Sequence, residues 1–468
     1  MTLARRSFGP STWRTPLLRP AARHSLGAKL AWASFDWALR PFSLLVLTYV
    51  FAPFFANFLA PDPVSGQTLW GLALGGAGLI VALASPPLGA IADVAGRKKP
   101  WIAAFGALLT LGATLLWFTA PGGWFSLPLA IGGVMAAVVG SEFAIVFHNA
   151  LMPSLAPPDR IGRLSAMGWA VGALGGLLGL VGMLAFFLAN PQTGRTMVGL
   201  SPILPLDPAT HEAARLVGPL TAAWFVVFVA PMFLAMPDDP ASRASMRAAV
   251  RDGLRAFRQT LADFPRRRDL AAFLIANMLY MDGLGVIVAF GGIYATALFG
   301  WGALQLTTLG IALVSVGGIA ALALGRLTDR FGSKRMIMAC VIGLLVATLG
   351  ILGTTRDSIL FGVPVLAPAA GGALFGSLGE KTVFGFALLV GAFGGPLFAA
   401  SRAHLALVAP PGRAAQYFGY FALSGRLTAF VGPTLVGLVT AASGSQRLGI
   451  GVTAPLLALG LALVATLE

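Results

Sequence analysis

Charge is scarce in this 468-residue chain: Asp, Glu, Lys and Arg together make up 10% of it, against about a quarter in a soluble domain. So little charge cannot cover a water-soluble surface of this size. Cysteine is almost absent, with Cys340 alone in an apolar run, which excludes a disulfide framework within the chain. Four histidines, His24, His148, His211 and His404, are too scattered to hold a metal, and neither metal nor cofactor is expected. Gly-x4-Gly-Lys-(Ser/Thr), His-Glu-x-x-His and Gly-x-Ser-x-Gly are all missing. The chain therefore reads as neither an ATPase nor any other enzyme.

Apolar residues are plentiful: 57% are hydrophobic, Gly numbers 59 and the mean hydropathy is +0.84. Runs of about 20 apolar residues, long enough to span a bilayer, fall at 30–59, 67–92, 100–120, 126–148, 163–189, 216–236, 269–298, 301–325, 334–353, 382–402, 415–441 and 447–467. Twelve spans imply an all-α membrane protein. The net charge of +15 raises the question of nucleic acid, but its distribution argues for membrane orientation instead. With the N-terminus inside, inside segments hold 25 Lys and Arg, outside loops hold 5, and Arg40 and Arg426 fall within spans. That asymmetry places both termini in the cytoplasm, with the lipid bilayer and not nucleic acid as partner. Residues 1–29 carry six basic residues and no acid, and without a short apolar core and cleavage site they read as a basic cytoplasmic tail rather than a targeting peptide.

One segment occurs twice. Gly89, Asp93, Gly96, Arg97 and Lys98-Lys99 sit between two runs; 236 residues later stand Gly325, Asp329, Gly332 and Lys334-Arg335. Glycines let two membrane helices approach and turn sharply, and an aspartate at a helix end beside basic residues can join a charge network that a conformational change makes and breaks. A half-length repeat means two similar halves: 30–236 and 269–468, joined by a linker at 237–268. In that linker Arg243, Arg247, Arg251, Arg255 and Arg258 mark one helical side and Met246, Val250, Leu254, Phe257 and Leu261 another, a basic amphipathic helix expected along the anionic inner leaflet.

Charges inside spans are costly and face a cavity or a partner. Asp36 and Arg40, four apart in the first run, face one another either as an interface pair or toward a cavity. Pro41 and Pro53 are expected to kink that run. Glu142 lies in the fourth run, which ends in His148-Asn149, and either Glu142 or His148 can titrate during transport. Gly168, Gly172 and Gly176 form a ladder for close packing in the fifth run, at a surface where rocking halves can slide. Asp282 and Arg426 are deep charges of the second half and are expected to pair with each other; Arg402 closes the tenth run.

Phe35-Asp36-Trp37-Ala38, Phe147 to Pro153, Ser165 to Gly176, Tyr280-Met281-Asp282-Gly283, Ser401-Arg402, Phe418 to Arg426 and Gly444 to Arg447 together resemble the autophagy-related vacuole effluxer family, and the repeated glycine and aspartate segment resembles the loops between helices 2 and 3 and helices 8 and 9 of the major facilitator superfamily. The resemblance implies the major facilitator superfamily fold, twelve helices in two six-helix halves, with amino-acid efflux the role of the fungal members. Leu39-Arg40 stands where the family shows Asn-Ser, Leu284-Gly285-Val286 where polar residues are common, and Gln416 where an acid is common.

The expected function is secondary active transport of a small solute by alternating access in a bacterial inner membrane, driven by protons through Asp36, Glu142 or Asp282, with amino acids or related metabolites as cargo. A non-transporting assembly or receptor factor built on the same fold is the alternative. His148, Asn149, Arg40, Arg402 and Arg426 complete the set of pathway residues.

Overall fold

In lipid a chain must satisfy every backbone hydrogen bond internally, so each apolar run closes on itself as a helix. The computed structural model describes residues 25–188, 194–242, 245–263, 267–366 and 374–467. Among them twelve helices are long and apolar enough to cross a membrane. These are α1 Leu26–Leu59, α2 Pro63–Ala95, α3 Lys99–Phe118, α4 Ser126–Leu155, α5 Pro158–Phe186, α6 Glu212–Ala235, α7 Arg268–Phe299, α8 Leu304–Phe331, α9 Ser333–Leu352, α10 Leu378–Val408, α11 Ala414–Ser443 and α12 Gln446–Ala465. Most of the basic tail lies outside the described residues, as does Arg243. One shift from the expected limits matters: the tenth run, read as 382–402, continues to Val408, so Arg402 lies within a span and not in the loop where the charge count placed it.

The repeat is visible in the packing. In the first half α3 packs on α4 and α1 on α6; in the second, α9 packs on α10 and α7 on α12. Across the halves α2 lies against α11 and α5 against α8. One buried core runs through both halves, from Trp32 and Phe147 to Tyr280, Leu397 and Tyr417.

The motif glycines have two separate jobs. Gly96 (φ 86°) and Gly332 (φ 89°) terminate α2 and α8 in a backbone conformation that side chains resist. Gly89 and Gly325 are contact points: a Cβ at Gly89 would lie 2.3 Å from the Ala415 carbonyl oxygen of α11, and one at Gly325 would lie 2.5 Å from Ala166 Cβ of α5. Both contacts lie at the end of the bundle that carries the basic loops, hereafter the basic end. Toward the opposite end the same helix pair has parted: the second segment of α11, Val431–Ser443, packs on α7 and α12 rather than on α2.

In two of the irregular spans, α1 and α11, proline sets the break. In α1, π-type turns run over Phe42–Tyr49 and Phe55–Leu59 on either side of a break at Val50, and Pro53, which cannot bond the Tyr49 carbonyl four residues back, puts the break there. α11 is broken between Leu427 and Val431. Pro433 lies four residues beyond Ala429 and cannot bond its carbonyl, which puts the break where the structure has it.

Candidate functional site

The charged side chains form layers that run from the basic end toward mid-membrane, and each layer joins the two halves. Nearest the basic end, Asp93 of α2 accepts hydrogen bonds from the backbone N–H groups of Ala415 (3.1 Å) and Gln416 (2.8 Å), the first turn of α11. Lys98 Nζ pairs with the same carboxylate at 3.0 Å. In the repeat, Asp329 of α8 accepts from the N–H of Gly162 (2.8 Å) in the first turn of α5, and Arg163 Nε pairs with it at 2.9 Å. A carboxylate at a helix N-terminus satisfies unpaired donors and opposes the positive end of the helix dipole. Each half thus caps a helix of the other.

The repeat is not carried through the basic residues. Lys98 serves Asp93, but Lys334 reaches the Leu467 carbonyl at the end of α12, and Arg163 takes its place at Asp329. Arg97 and Arg335 are exposed.

About 15 Å into α1, at ten residues of 1.5 Å rise, Asp36 pairs with Arg402 Nη1 of α10 at 3.1 Å. Both side chains are largely buried, at 13% and 11% exposure. Arg402 is held on all sides: Nε donates to Ser165 Oγ (2.9 Å), Nη1 donates to Asn149 Oδ1 (3.3 Å), and its guanidinium lies 5.1 Å from the Trp32 ring centroid. Ser165 Oγ in turn donates to the Ala399 carbonyl at 2.7 Å. Three helices of the first half therefore converge on one arginine of the second.

His148 has a fastening role in this arrangement. It is buried, stacked against Phe35 (4.1 Å) and Trp32 (4.5 Å); its Nε2 lies 2.9 Å from the Trp32 carbonyl, while Trp32 Nε1 donates to the His148 carbonyl at 3.2 Å. The pair sews α1 to α4 and sets Trp32 beneath Arg402. The glycine ladder of α5 serves close packing: a Cβ at Gly168 would lie 2.4 Å from Asp36 Oδ2 and 3.0 Å from Arg402 Nη2 of the second half, and one at Gly176 2.5 Å from Arg40 Cγ. It packs α5 on α1 of its own half.

Nearer mid-membrane, Arg426 of α11, one residue before the break, pairs with Glu142 of α4. This replaces the expected partnership with Asp282. Asp282 is buried on α7 against the second segment of α11, where a Cβ at Gly432 would lie 3.2 Å from its carbonyl oxygen. Depth along the span is similar for Asp282 and Arg426, but Arg426 belongs to the first segment of α11, which packs on α2 and α4 of the first half. Among the described residues Asp282 has no ion-pair partner. Neither has Arg40, whose guanidinium lies 5.8 Å from the Trp169 ring; Trp169 itself wedges against Gly317 and Gly395 of the second half. An apolar cavity of about 200 Å³ lies beyond Arg40, lined by Leu44, Leu177, Leu180, Gly310, Ile311 and Val314.

Sequence reasoning named Asp36, Arg40, Glu142, His148, Asn149, Asp282, Arg402 and Arg426; the structure brings Asp36, Asn149 and Arg402 together and joins Glu142 to Arg426. It missed Ser165 and Trp169, for which the aromatic and hydroxyl residues flanking the glycine ladder were the available signal. Among the described residues there is no cluster of three potential metal ligands.

Comparison with known proteins agrees with this architecture. The family described as "Vacuole effluxer Atg22 like" matches residues 77–468. The chain is 24% identical over 441 residues to the uncharacterized MFS-type transporter YxiO of Bacillus subtilis, covering 93% of each. It is 24% identical over 284 residues to autophagy-related protein 22 of Botryotinia fuckeliana, covering 57% of this chain and 44% of the fungal one, so it spans less than half of that relative. Among solved structures, FucP in the outward conformation has a TM-score of 0.67 at 16% identity, covering 94% of this chain and 98% of that one. The proton:xylose symporter XylE has a TM-score of 0.65 at 12% identity, covering 93% of each chain. The chain belongs to the Atg22-like vacuole effluxer family and has the fold of the major facilitator superfamily transporters.

Proposed function

We propose that this protein is a secondary active transporter that works by alternating access, with its basic end in the cytoplasm of a bacterial cell and the state described here closed on that side. The fold and family support secondary transport as such. The observation that carries the mechanism is the layered set of contacts between halves: the reciprocal caps of Asp93 and Asp329, the Asp36 and Arg402 pair, and the Glu142 and Arg426 pair. All join one half to the other from the basic end to mid-membrane, while α2 and α11 diverge beyond. Opening to the cytoplasm requires every layer to part.

Protons are the coupling ion in this reading. Neutralising Asp36 or Glu142 releases its arginine and lets the halves separate, and Asp282, buried without an ion pair among the described residues, is a third carrier. Arg40 offers the site for a solute. The cluster of Asp36, Arg40 and Arg402 carries one positive charge in excess, which a carboxylate offsets; in proteins generally an apolar cavity of about 150 Å³ suffices for a benzene-sized group. The apolar cavity that begins at Leu44, one turn beyond Arg40, has about 200 Å³ and fits an apolar body. Amino acids or related metabolites, moved out of the cell, match that combination. The decisive experiment is flux in proteoliposomes under an imposed proton gradient, with amino acids as the first panel. Gradient-driven flux that fails in Asp36→Asn supports the reading; no flux of any solute by folded protein favours a non-transporting membrane factor.

A further inference from the structure

The linker joining the halves is more than a tether. Its helix Met246–Asp263 has three stripes along its length. One, with Ala249, Gly253, Phe257 and Thr260, is packed against the bundle: a Cβ at Gly253 would lie 2.6 Å from Ile91 Cα of α2, Thr260 Oγ1 donates to Gln416 Oε1 of α11 (3.4 Å), and Phe257 stacks on Tyr420 of α11 (6.4 Å). A second stripe is apolar yet exposed, with Met246 at 60%, Val250 at 38%, Leu254 at 38% and Leu261 at 54%. The third holds Arg247, Arg251, Arg255 and Arg258, all exposed. The acids Asp252 and Asp263 lie off this third stripe, although Asp252 pairs with Arg251 and Arg255.

The helix also sits at a telling depth. Ile91 is four residues inside the end of α2 and Tyr420 six residues inside the start of α11, so at about 1.5 Å per residue the helix lies some 6–9 Å within the span ends. A 33-residue helix, about 50 Å long, overhangs a hydrocarbon core of about 30 Å at each end, so this level is the membrane interface, where an outward apolar stripe and the arginine stripe beside it face the boundary between acyl chains and headgroups. The same helix straddles the gate, because Ile91 and Asp93 belong to α2 while Gln416, whose N–H Asp93 accepts, belongs to α11. Separation at the basic end pulls Ile91 from Gln416, and the helix cannot remain seated on both.

We propose that the linker helix is a membrane-coupled latch: anionic phospholipid of the leaflet on the basic side binds its arginine and apolar stripes and thereby favours the closed state. Lipid stabilises whichever state it binds better, and in the seated pose both stripes are offered to it at once. A free acidic macromolecule would use the arginines alone and leave the apolar stripe in water.

The test is conformational and needs no transported solute, so its outcome is separate from that of the transport reading. Full-length Cys340→Ala protein carrying spin labels at Arg97→Cys and Pro411→Cys is placed in nanodiscs of phosphatidylcholine, of phosphatidylcholine with phosphatidylglycerol, or of phosphatidylcholine with phosphatidylethanolamine. Phosphatidylglycerol is expected to raise the ratio of closed to open distances by about tenfold, within the usual range of allosteric couplings, and phosphatidylethanolamine to leave it unchanged. Replacing Arg247, Arg251, Arg255 and Arg258 by Gln abolishes the response, as does replacing Met246, Val250 and Leu254 by Ser, with either variant folding as in the parent because all seven side chains are exposed. An equal response in the arginine variant, or no response in the parent, overturns the proposal. An equal response to soluble heparin overturns it in favour of an acidic macromolecule.

Discussion

Replacing Asp36 by Asn removes the one carboxylate in a buried cluster that also contains Arg40 and Arg402. In the closed state Arg402 then keeps its hydrogen bonds to Ser165 and Asn149 but loses its counter-charge, beside a second arginine. Removing one member of a buried pair costs about 3–5 kcal/mol. In a state open at the basic end the same arginine is hydrated and the penalty largely disappears. The difference shifts the equilibrium toward opening by roughly two to three and a half powers of ten, at about 1.4 kcal/mol per power. Arg402→Gln should be milder, because Asp36 keeps Arg40 one turn away and the cluster is left neutral. Spin-label distances between Arg97→Cys and Pro411→Cys in nanodiscs, in a Cys340→Ala background, measure the shift directly. Asp36→Asn should move most molecules to long distances and Arg402→Gln fewer, with the double variant between parent and Asp36→Asn. An unchanged distribution in Asp36→Asn, or a larger change in Arg402→Gln, would refute the assignment of the pair as a closed-state fastener.

The remaining predictions address other layers. Asp93→Asn leaves Lys98 buried without its counter-charge, at about 3–5 kcal/mol, and Asp329→Asn, whose partner Arg163 is exposed, weakens a helix cap worth about 1 kcal/mol; both should slow transport while leaving solute affinity, read by thermal shift, nearly intact, and lost binding with normal opening would overturn the gating role. Gly89→Ala should disrupt the closed state, since its Cβ would overlap the Ala415 carbonyl, at about 1–3 kcal/mol for overpacking, whereas Gly75→Ala should be neutral in the same distance assay. In double-mutant cycles on folded yield, Glu142→Gln and Arg426→Gln should couple by about 0.5–3 kcal/mol while Asp282→Asn adds independently to either; coupling between Asp282 and Arg426 would restore the pairing expected from depth. A cysteine at Asp62 should react with an impermeant thiol reagent from outside intact cells and one at Ser245 should not, with the reverse pattern overturning the orientation.

Much of the fold was legible because its signals are local. Apolar runs set the spans, Pro53 marked the break in α1, and the spacing of Gly89, Asp93 and Gly96 against Gly325, Asp329 and Gly332 announced two halves. Partnerships were not legible. Asp36 meets Arg402 across 366 residues, and nothing in either neighbourhood says so. Asp282 and Arg426 looked like partners because depth along a helix can be read from sequence, whereas the direction a side chain faces depends on packing. Pro433 did signal the break in α11, and the length of the apolar run hid it. Lys334 matched Lys98 by spacing, yet Arg163, already beside Asp329, left Lys334 to cap α12.

Alternating access makes the two ends of the bundle exclude one another. One label pair at Arg97→Cys and Pro411→Cys reports the basic end, and a second at Gln67→Cys and Ser443→Cys reports the opposite end of the same two helices. Measured in nanodiscs across pH and with a panel of amino acids, the two populations should be anticorrelated, with acid lengthening the first distance as it shortens the second. Both ends opening together, or neither end moving under conditions where proteoliposomes show flux, would contradict the account.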